Sequence, residues 1–366
     1  VCNNINVTEK DPLANGIERY VGLEHIEPNS LHIKSWGNVA DGTTFTKKFS
    51  AGHVLFGKRR AYLRKAAIAD FDGICSGDIL VFEPNEDVID PNLFPFLVQS
   101  DRFFDFAIQT SAGSLSPRTK FQDLAKFEFL LPPKEQQAKL AELLWASDNV
   151  IEGQLGLLKS VIYTGRVFSL QHYEDKSKAK GSLNSIADIN PRRQNVLNDE
   201  DEVTFLTMTD VSEDGVIINY QSRKVREVKK GFTYFIEGDT LFAKITPCME
   251  NGKGAIAYNL ANRTGFGSTE FHVLRSKSKS DQLYCFFLTK MEYFRKEAEK
   301  RMVGSAGQKR VPSAFLSEFN FHIPDQEHRK WFGEKMLAFE DRKRKLEFII
   351  KQGSQLKQQL INQIFS

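Results

Sequence analysis

Pro132-Pro133-Lys134-Glu135-Gln136-Gln137 closes whatever precedes it and opens an amphipathic run that reaches about residue 172. Pro324-Asp325-Gln326-Glu327 opens a second run of the same kind 192 residues later, and this one lasts to Ser366. In the first run Leu143, Val150 and Leu157 are spaced by seven, as are Leu144, Ile151 and Leu158, with Ser147, Gln154 and Val161 between them. Gly153, Gly156 and Gly165 weaken that seam. In the second run Phe339, Leu346, Ile349, Leu356, Leu360 and Ile364 give a comparable pattern, with a cation-rich cluster at 341–345 on the outer face. A helix this long cannot bury a seam by itself. The economical solution is an antiparallel pair, and the chain reads as one unit written twice, each a globular part followed by a long helix.

The length of 366 residues leaves room for two to three domains, and 41% hydrophobic with 27% charged residues is a globular composition. No apolar run approaches the roughly 20 residues of a membrane span, and no basic segment leads into an apolar one at the start. Cys2, Cys75, Cys248 and Cys285 are far apart and form no Cys-x-x-Cys pair. That spacing argues against a zinc site or a disulfide framework and for reduced thiols in a cytoplasm. The net charge of +3 is small, so any polyanion must be held by local patches.

In the first globular part, residues 1–19 are polar and read as loop. Strand-like stretches follow at 19–26, 54–57, 66–69 and 79–82, the last two separated by a turn at Gly73 and by Gly77-Asp78, and residues 91–107 have helical spacing. The result is a strand-rich α/β domain. Its loop Lys58-Arg59-Arg60-Ala61-Tyr62-Leu63-Arg64-Lys65 carries five cations in eight residues. It reads either as a solvated strand edge or as a loop that contacts phosphates and base edges. The stretch 111–120, with Arg118 and Lys120, suits phosphate contact, but alone it reads as an ordinary loop.

After a linker at 176–181 the landmarks return in order. Residues 204–211 answer 20–26, 238–244 answer 52–58, and 267–274 answer 75–82. Ala306-Gly307-Gln308-Lys309-Arg310 answers Ala112-Gly113-Ser114, with Arg118 and Lys120 close behind. The second basic loop reads Ala243-Lys244-Ile245-Thr246-Pro247-Cys248-Met249-Glu250-Asn251-Gly252-Lys253. A cation directly after the strand persists between copies while its neighbours differ, as two related readers of different sequences would require. The candidate DNA-contacting residues are therefore Lys58, Arg59, Arg60, Tyr62, Arg118, Lys120, Lys244, Thr246, Lys253, Gln308, Lys309 and Arg310.

Catalytic motifs are not visible. Asn190-Pro191-Arg192-Arg193 lacks the second proline and the aromatic of a base methyltransferase and reads as a turn. There is no Gly-x-x-x-x-Gly-Lys-Ser/Thr loop, and the seven histidines do not cluster at ligand spacing.

The loop 242–253, the Leu131-Pro132-Pro133-Lys134-Glu135-Gln136-Gln137 opening and Ile186-Ala187-Asp188-Ile189-Asn190-Pro191 together resemble the DNA specificity subunits of type I restriction–modification systems, the HsdS family. The resemblance covers essentially the whole chain. It departs from the pattern in two places: the first copy shows no counterpart of residues 186–191, and Ile323-Pro324-Asp325-Gln326-Glu327-His328 lacks the double proline and double glutamine. It implies target-recognition domains at 1–132 and 177–324 and conserved spacer helices at 133–176 and 325–366. The expected fold class is α/β (α+β): two strand-rich domains joined by a long antiparallel coiled coil with a pseudo-twofold internal repeat. The implied role is that of a non-catalytic reader of a split double-stranded DNA target, its helices setting the spacer and docking two methyltransferase subunits, with motor and nuclease subunits added for restriction. It carries no cofactor of its own; S-adenosylmethionine, ATP and Mg would belong to the partners. No membrane partner is expected. The alternatives are a fused or related restriction enzyme that carries its own catalytic carboxylates, and a coiled-coil scaffold without a DNA role.

Overall fold

The computed structural model describes residues 1–174, 179–193, 197–305 and 307–366. Both long helices are present, Lys134–Glu174 with 41 residues and Gln326–Ile364 with 39. The chain divides into two compact units, Val1–Leu157 with Leu346–Ser366, and Leu158–Lys345. The division falls inside both helices, so each unit contains part of each helix instead of one helix of its own.

In unit 1 an antiparallel sheet orders Cys2–Ile5, Ile79–Pro84, Val54–Gly57 and Ala66–Ile68. A second sheet orders Gly37–Asn38, Arg19–Val21, Gly73–Cys75 and Lys47–Phe49, with Arg19–Val21 parallel to Gly73–Cys75. Val54–Gly57 is buried throughout, which explains its unbroken apolar run. Side chains alternate across a strand: Val54 and Phe56 join a cluster with Phe82, Phe94, Phe104, Leu144 and Ile361, while Leu55 joins Val21, Phe49 and Val81 on the other face.

Two readings of this part are corrected. Residues 1–19 are not all loop, because Cys2–Ile5 pairs with Ile79–Pro84 from Cys2↔Pro84 to Ile5↔Val81. Its asparagines hide the strand, whose stability comes from the ladder. Gly73 lies in a strand instead of a turn; a Cβ there would meet the Phe49 ring at 2.5 Å and the Arg19 carbonyl at 2.9 Å. The glycine is there for close approach.

Unit 2 repeats both sheets, strand for strand. The first orders Ala187–Ile189, Phe271–Ser276, Thr240–Ala243 and Gly254–Ile256; the second orders Gln221–Lys224, Glu202–Leu206, Thr264–Gly267 and Thr233–Ile236, again with its central pair parallel. Ile189↔Leu274 matches Asn4↔Phe82, because Leu274 pairs with Thr240 as Phe82 pairs with Val54, so the counterparts of Ile189, Asn190 and Pro191 are Asn4, Ile5 and Asn6. The first copy thus does possess this strand, although residues 2–6 share no side chain with residues 187–191. Ala179–Ser182 pairs with Asn320–Ile323, replacing the end of the expected linker with a strand. Lys176, Ser177 and Lys178 of that linker, and Ala306 of the fourth landmark, lie outside the described residues.

Within each unit the long helices run antiparallel. In unit 1 Lys357 Nζ donates to Asp148 Oδ1 at 2.5 Å, and Gly353 faces Ile151. In unit 2 Gly165 faces Phe339 and His172 stacks on Phe332 with ring centroids 4.1 Å apart. Of the two seven-spaced rows, Leu144 and Ile151 are buried, whereas Leu143, Val150 and Leu157 are exposed. On the final helix Leu346 is buried and Ile349 and Leu356 are exposed. Successive residues are turned by about 100°, so one row faces the partner helix and the sheets while its neighbour is left outside. Unit 1 therefore carries an uncovered apolar stripe on both helices.

Candidate nucleic-acid interface

Strand Val54–Gly57 ends at Lys58, and the chain then turns back through Arg60 and Arg64, both in the left-handed region at φ 54° and 53°. The turn is tied to the 111–120 loop. Lys58 N–H donates to the Asp78 carbonyl at 3.0 Å, Thr119 N–H to the Lys58 carbonyl at 3.0 Å, and Arg60 N–H to the Pro117 carbonyl at 2.8 Å. Arg118 closes the frame with a forked pair on Asp78, at 2.7 Å from Nε and 3.3 Å from Nη2. Arg59 adds Nε to Ser116 Oγ at 2.6 Å.

The same frame recurs in unit 2. Lys244 N–H donates to the Glu270 carbonyl at 2.9 Å, Val311 N–H to the Lys244 carbonyl at 2.9 Å, and Thr246 N–H to the Lys309 carbonyl at 3.1 Å. Arg310 forks onto Glu270 at 2.9 Å from Nε and 2.8 Å from Nη2. Arg118 and Arg310 are 192 residues apart, as are Asp78 and Glu270. The bond to Arg118 holds the Asp78 carboxyl below the usual range, and the bond to Arg310 does the same for Glu270.

The candidate residues therefore divide. Arg118 and Arg310 hold two loops together and spend their forks inside the protein. Lys253 Nζ donates to the Met208 carbonyl at 3.1 Å, and its counterpart Lys65 donates to the Leu23 carbonyl at 2.6 Å; this is a second duplicated tie. Thr246 Oγ1 donates to Glu250 at 2.9 Å. Lys58 and Lys244 are half-buried beside the frame. Arg60, Tyr62, Lys120, Gln308 and Lys309 face solvent. Unit 1 presents Arg59, Arg60 and Tyr62 where unit 2 presents Ile245, Thr246 and Cys248, so a common frame carries different outward chemistry.

Sequence reading missed Asp78, Glu270 and Lys65. The signal was present, because an offset of 192 aligns Arg118 with Arg310 and Asp78 with Glu270, whereas matching Ala306 to Ala112 used 194. Among the described residues no cluster of three or more His, Cys, Asp and Glu side chains could hold a metal, and no helix is long and apolar enough to cross a membrane. All four cysteines are free thiols.

Residues 8–159 match the family model of the type I restriction modification DNA specificity domain. The specificity subunits of the Escherichia coli type I restriction enzymes EcoAI and EcoEI are 42% and 41% identical over 146 residues, which is 39% of this chain and 24% of each relative. The match thus spans about a quarter of the length of those relatives. Among solved structures, the S subunit of a type I restriction–modification system from M. genitalium aligns over 100% of this chain and 93% of its own, with a TM-score of 0.62 at 11% identity. A chain from a study of complex assembly and conformational transition in the type I R-M system aligns over 100% and 97%, with a TM-score of 0.56 at 17% identity. Those structures speak for the fold, and the sequence matches for descent. Residues 8–159 belong to the type I restriction modification DNA specificity family, and the chain that carries them is a relative of the type I specificity subunits.

Proposed function

We propose that the chain is the DNA specificity subunit of a type I restriction–modification complex in the cytoplasm, and that it reads a split duplex target with one half-site per unit. The observation that carries this reading is the duplicated frame of tied loops, constant in its hydrogen bonds and different in its outward side chains. Such an arrangement suits two readers of one ancestry and unlike sequence preference, because backbone-held loops position while exposed side chains discriminate. The chain contributes no catalytic step. Methyl transfer, with S-adenosylmethionine, and ATP- and Mg-dependent restriction belong to partner subunits. The exposed apolar stripe of Leu143, Val150, Leu157, Ile349 and Leu356 supports a protein partner on the helices and suits the methyltransferase subunits.

The test is selection of bound duplexes from a random-sequence pool by the full chain, alone and with methyltransferase subunits. Enrichment of two short half-sites at fixed separation is expected. One continuous site, or no enrichment in either condition, would refute the reading. Cleavage or methyl transfer by the purified chain alone would assign catalysis to it instead.

A further inference from the structure

Beside the frame of unit 1 lies an open cleft of about 440 Å³, lined by Asn6, Lys47, Lys58, Thr119 and Lys120 among others. Among the described residues no carboxylate lines it. The nearby Asp78 carboxylate does not line it and is engaged mainly by Arg118, with Arg59 Nη1 at 3.4 Å and a smaller influence from Lys58. Lys47 Nζ donates to the Ile79 carbonyl at 3.0 Å, which fixes its ammonium at the cleft wall. Burial, with a smaller contribution from the charge of Lys58, pushes the Lys47 ammonium below its ordinary range. The protein thus gathers three ammonium groups around one cleft whose described lining holds no carboxylate, an arrangement that an anion would relieve.

Unit 2 has a cleft at the same place in its frame, of about 250 Å³, lined by Asn190, Thr233, Lys244 and His272 among others. The strand register makes the correspondence residue by residue. Pro191, which also lines the second cleft, stands two residues after Ile189 as Asn6 stands two after Asn4, and Thr233 pairs with Gly267 as Lys47 pairs with Cys75. Burial lowers the His272 pKa, and its Nε2 lies 2.8 Å from the Val311 carbonyl, so the ring is a neutral donor. The second cleft thus keeps one lysine where the first has three.

We propose that each cleft seats a backbone phosphate of nucleic acid, and that unit 1, with Lys47, Lys58 and Lys120, supplies the larger share of the sequence-independent, salt-dependent affinity. This rests on the DNA-reading function proposed above. Lysine is a compact charge without the planar fork of arginine, so it grips phosphate without reading a base edge. Unit 1 anchors and unit 2 depends more on discrimination.

The experiment measures fluorescence anisotropy of the full chain on 40-bp duplexes of random sequence across a salt series, for wild type, Lys47→Gln/Lys58→Gln/Lys120→Gln, Lys120→Gln alone, and Lys244→Gln. Each phosphate that is no longer neutralised lowers the slope of log K against log salt by about 0.9. The triple variant is expected to fall by at least one such step, and Lys120→Gln and Lys244→Gln by less. Lys58→Arg is expected to keep the wild-type slope, and so is Lys351→Gln on the final helix, which controls for overall charge. A wild-type slope in the triple variant with native thermal melting would overturn the proposal, as would a larger fall in Lys244→Gln than in the triple. Protection of the wild-type fold by inorganic phosphate, with unaltered DNA slopes in all variants, would assign the clefts to free anions and overturn it too. Failure of wild type to bind any duplex would remove the underlying function as well, which separates the two failures.

Discussion

Asp148 is the most consequential charged residue in unit 1. Its side chain is 3% exposed and accepts from Lys357, 12% exposed, at 2.5 Å, while His32 Nε2 lies 2.5 Å from its other oxygen. One carboxylate therefore ties the central helix to the final helix and to the 31–33 segment. Asp148→Ala leaves the Lys357 ammonium buried without a counter-charge, and such a loss costs about 3–5 kcal/mol. Replacing both members of the pair by apolar groups of similar volume, as in Asp148→Leu with Lys357→Met, is expected to cost little or even to stabilise. Trp145 is a suitable reporter for urea unfolding, since its ring lies 6.1 Å from that of His32 and 5.1 Å from that of Phe96. The pH dependence has a definite sign. The bond to Asp148 raises the His32 pKa above 6.5, so its contribution is complete below about 6.5 and fades as pH rises through the raised value. Burial pushes the Asp148 carboxyl up, but the bonds from His32 and Lys357 outweigh it and hold it below 3.8. That contribution is present above the ordinary carboxylate range and is lost as pH falls through the lowered value. A cost for Asp148→Ala below about 1 kcal/mol, the worth of an exposed pair, would refute the claim that this network is desolvated.

Leu144→Ala removes a fully buried side chain where the central helix meets the unit 1 core, and should cost about 2–5 kcal/mol in the same urea assay, against almost nothing for the exposed Leu143→Ala. Acidification below the ordinary carboxylate range should protonate Asp78 and Glu270 and loosen both frames; hydrogen exchange at the Thr119 and Val311 amides, or the same exchange in Asp78→Asn at neutral pH for Thr119 alone, reads this out. Removing seven residues from the central helix alone should unfold the chain, because Asp148 and Ile151 would lose register with Lys357 and Gly353. Removing seven from each helix, at facing positions, should preserve folding and shorten the separation of selected half-sites; an unchanged separation would show that the helices do not set it.

The duplication and the two helices were legible because prolines and seven-residue spacing act locally. Which seam row is buried was not legible, since Leu143 and Leu144 are equally apolar and only the position of the sheets chooses between them. Cys2–Ile5 was hidden because Asn3 and Asn4 give no strand signal and the ladder with Ile79–Pro84 spans about 80 residues of sequence. The basic loops were found, but the role of each cation was not. Lys253 and Lys58 look alike in sequence, yet one is tied to the Met208 carbonyl and the other borders an open cleft. The offset of 192 was the usable clue, because charge pairs that recur at one spacing are ties within the fold rather than groups held out to a ligand.

The division of the chain inside both helices has a consequence for biosynthesis. Unit 2 is one continuous stretch, Leu158–Lys345, whereas unit 1 closes only when Leu346–Ser366 arrives with Ile361 and Phe365, two of its most deeply buried side chains. On the ribosome, unit 1 is thus begun before unit 2 and finished after it. Leu144 and its neighbours wait uncovered while the whole of the second unit is translated, and loss of Leu346–Ser366 damages the unit to which Val1–Leu157 belongs.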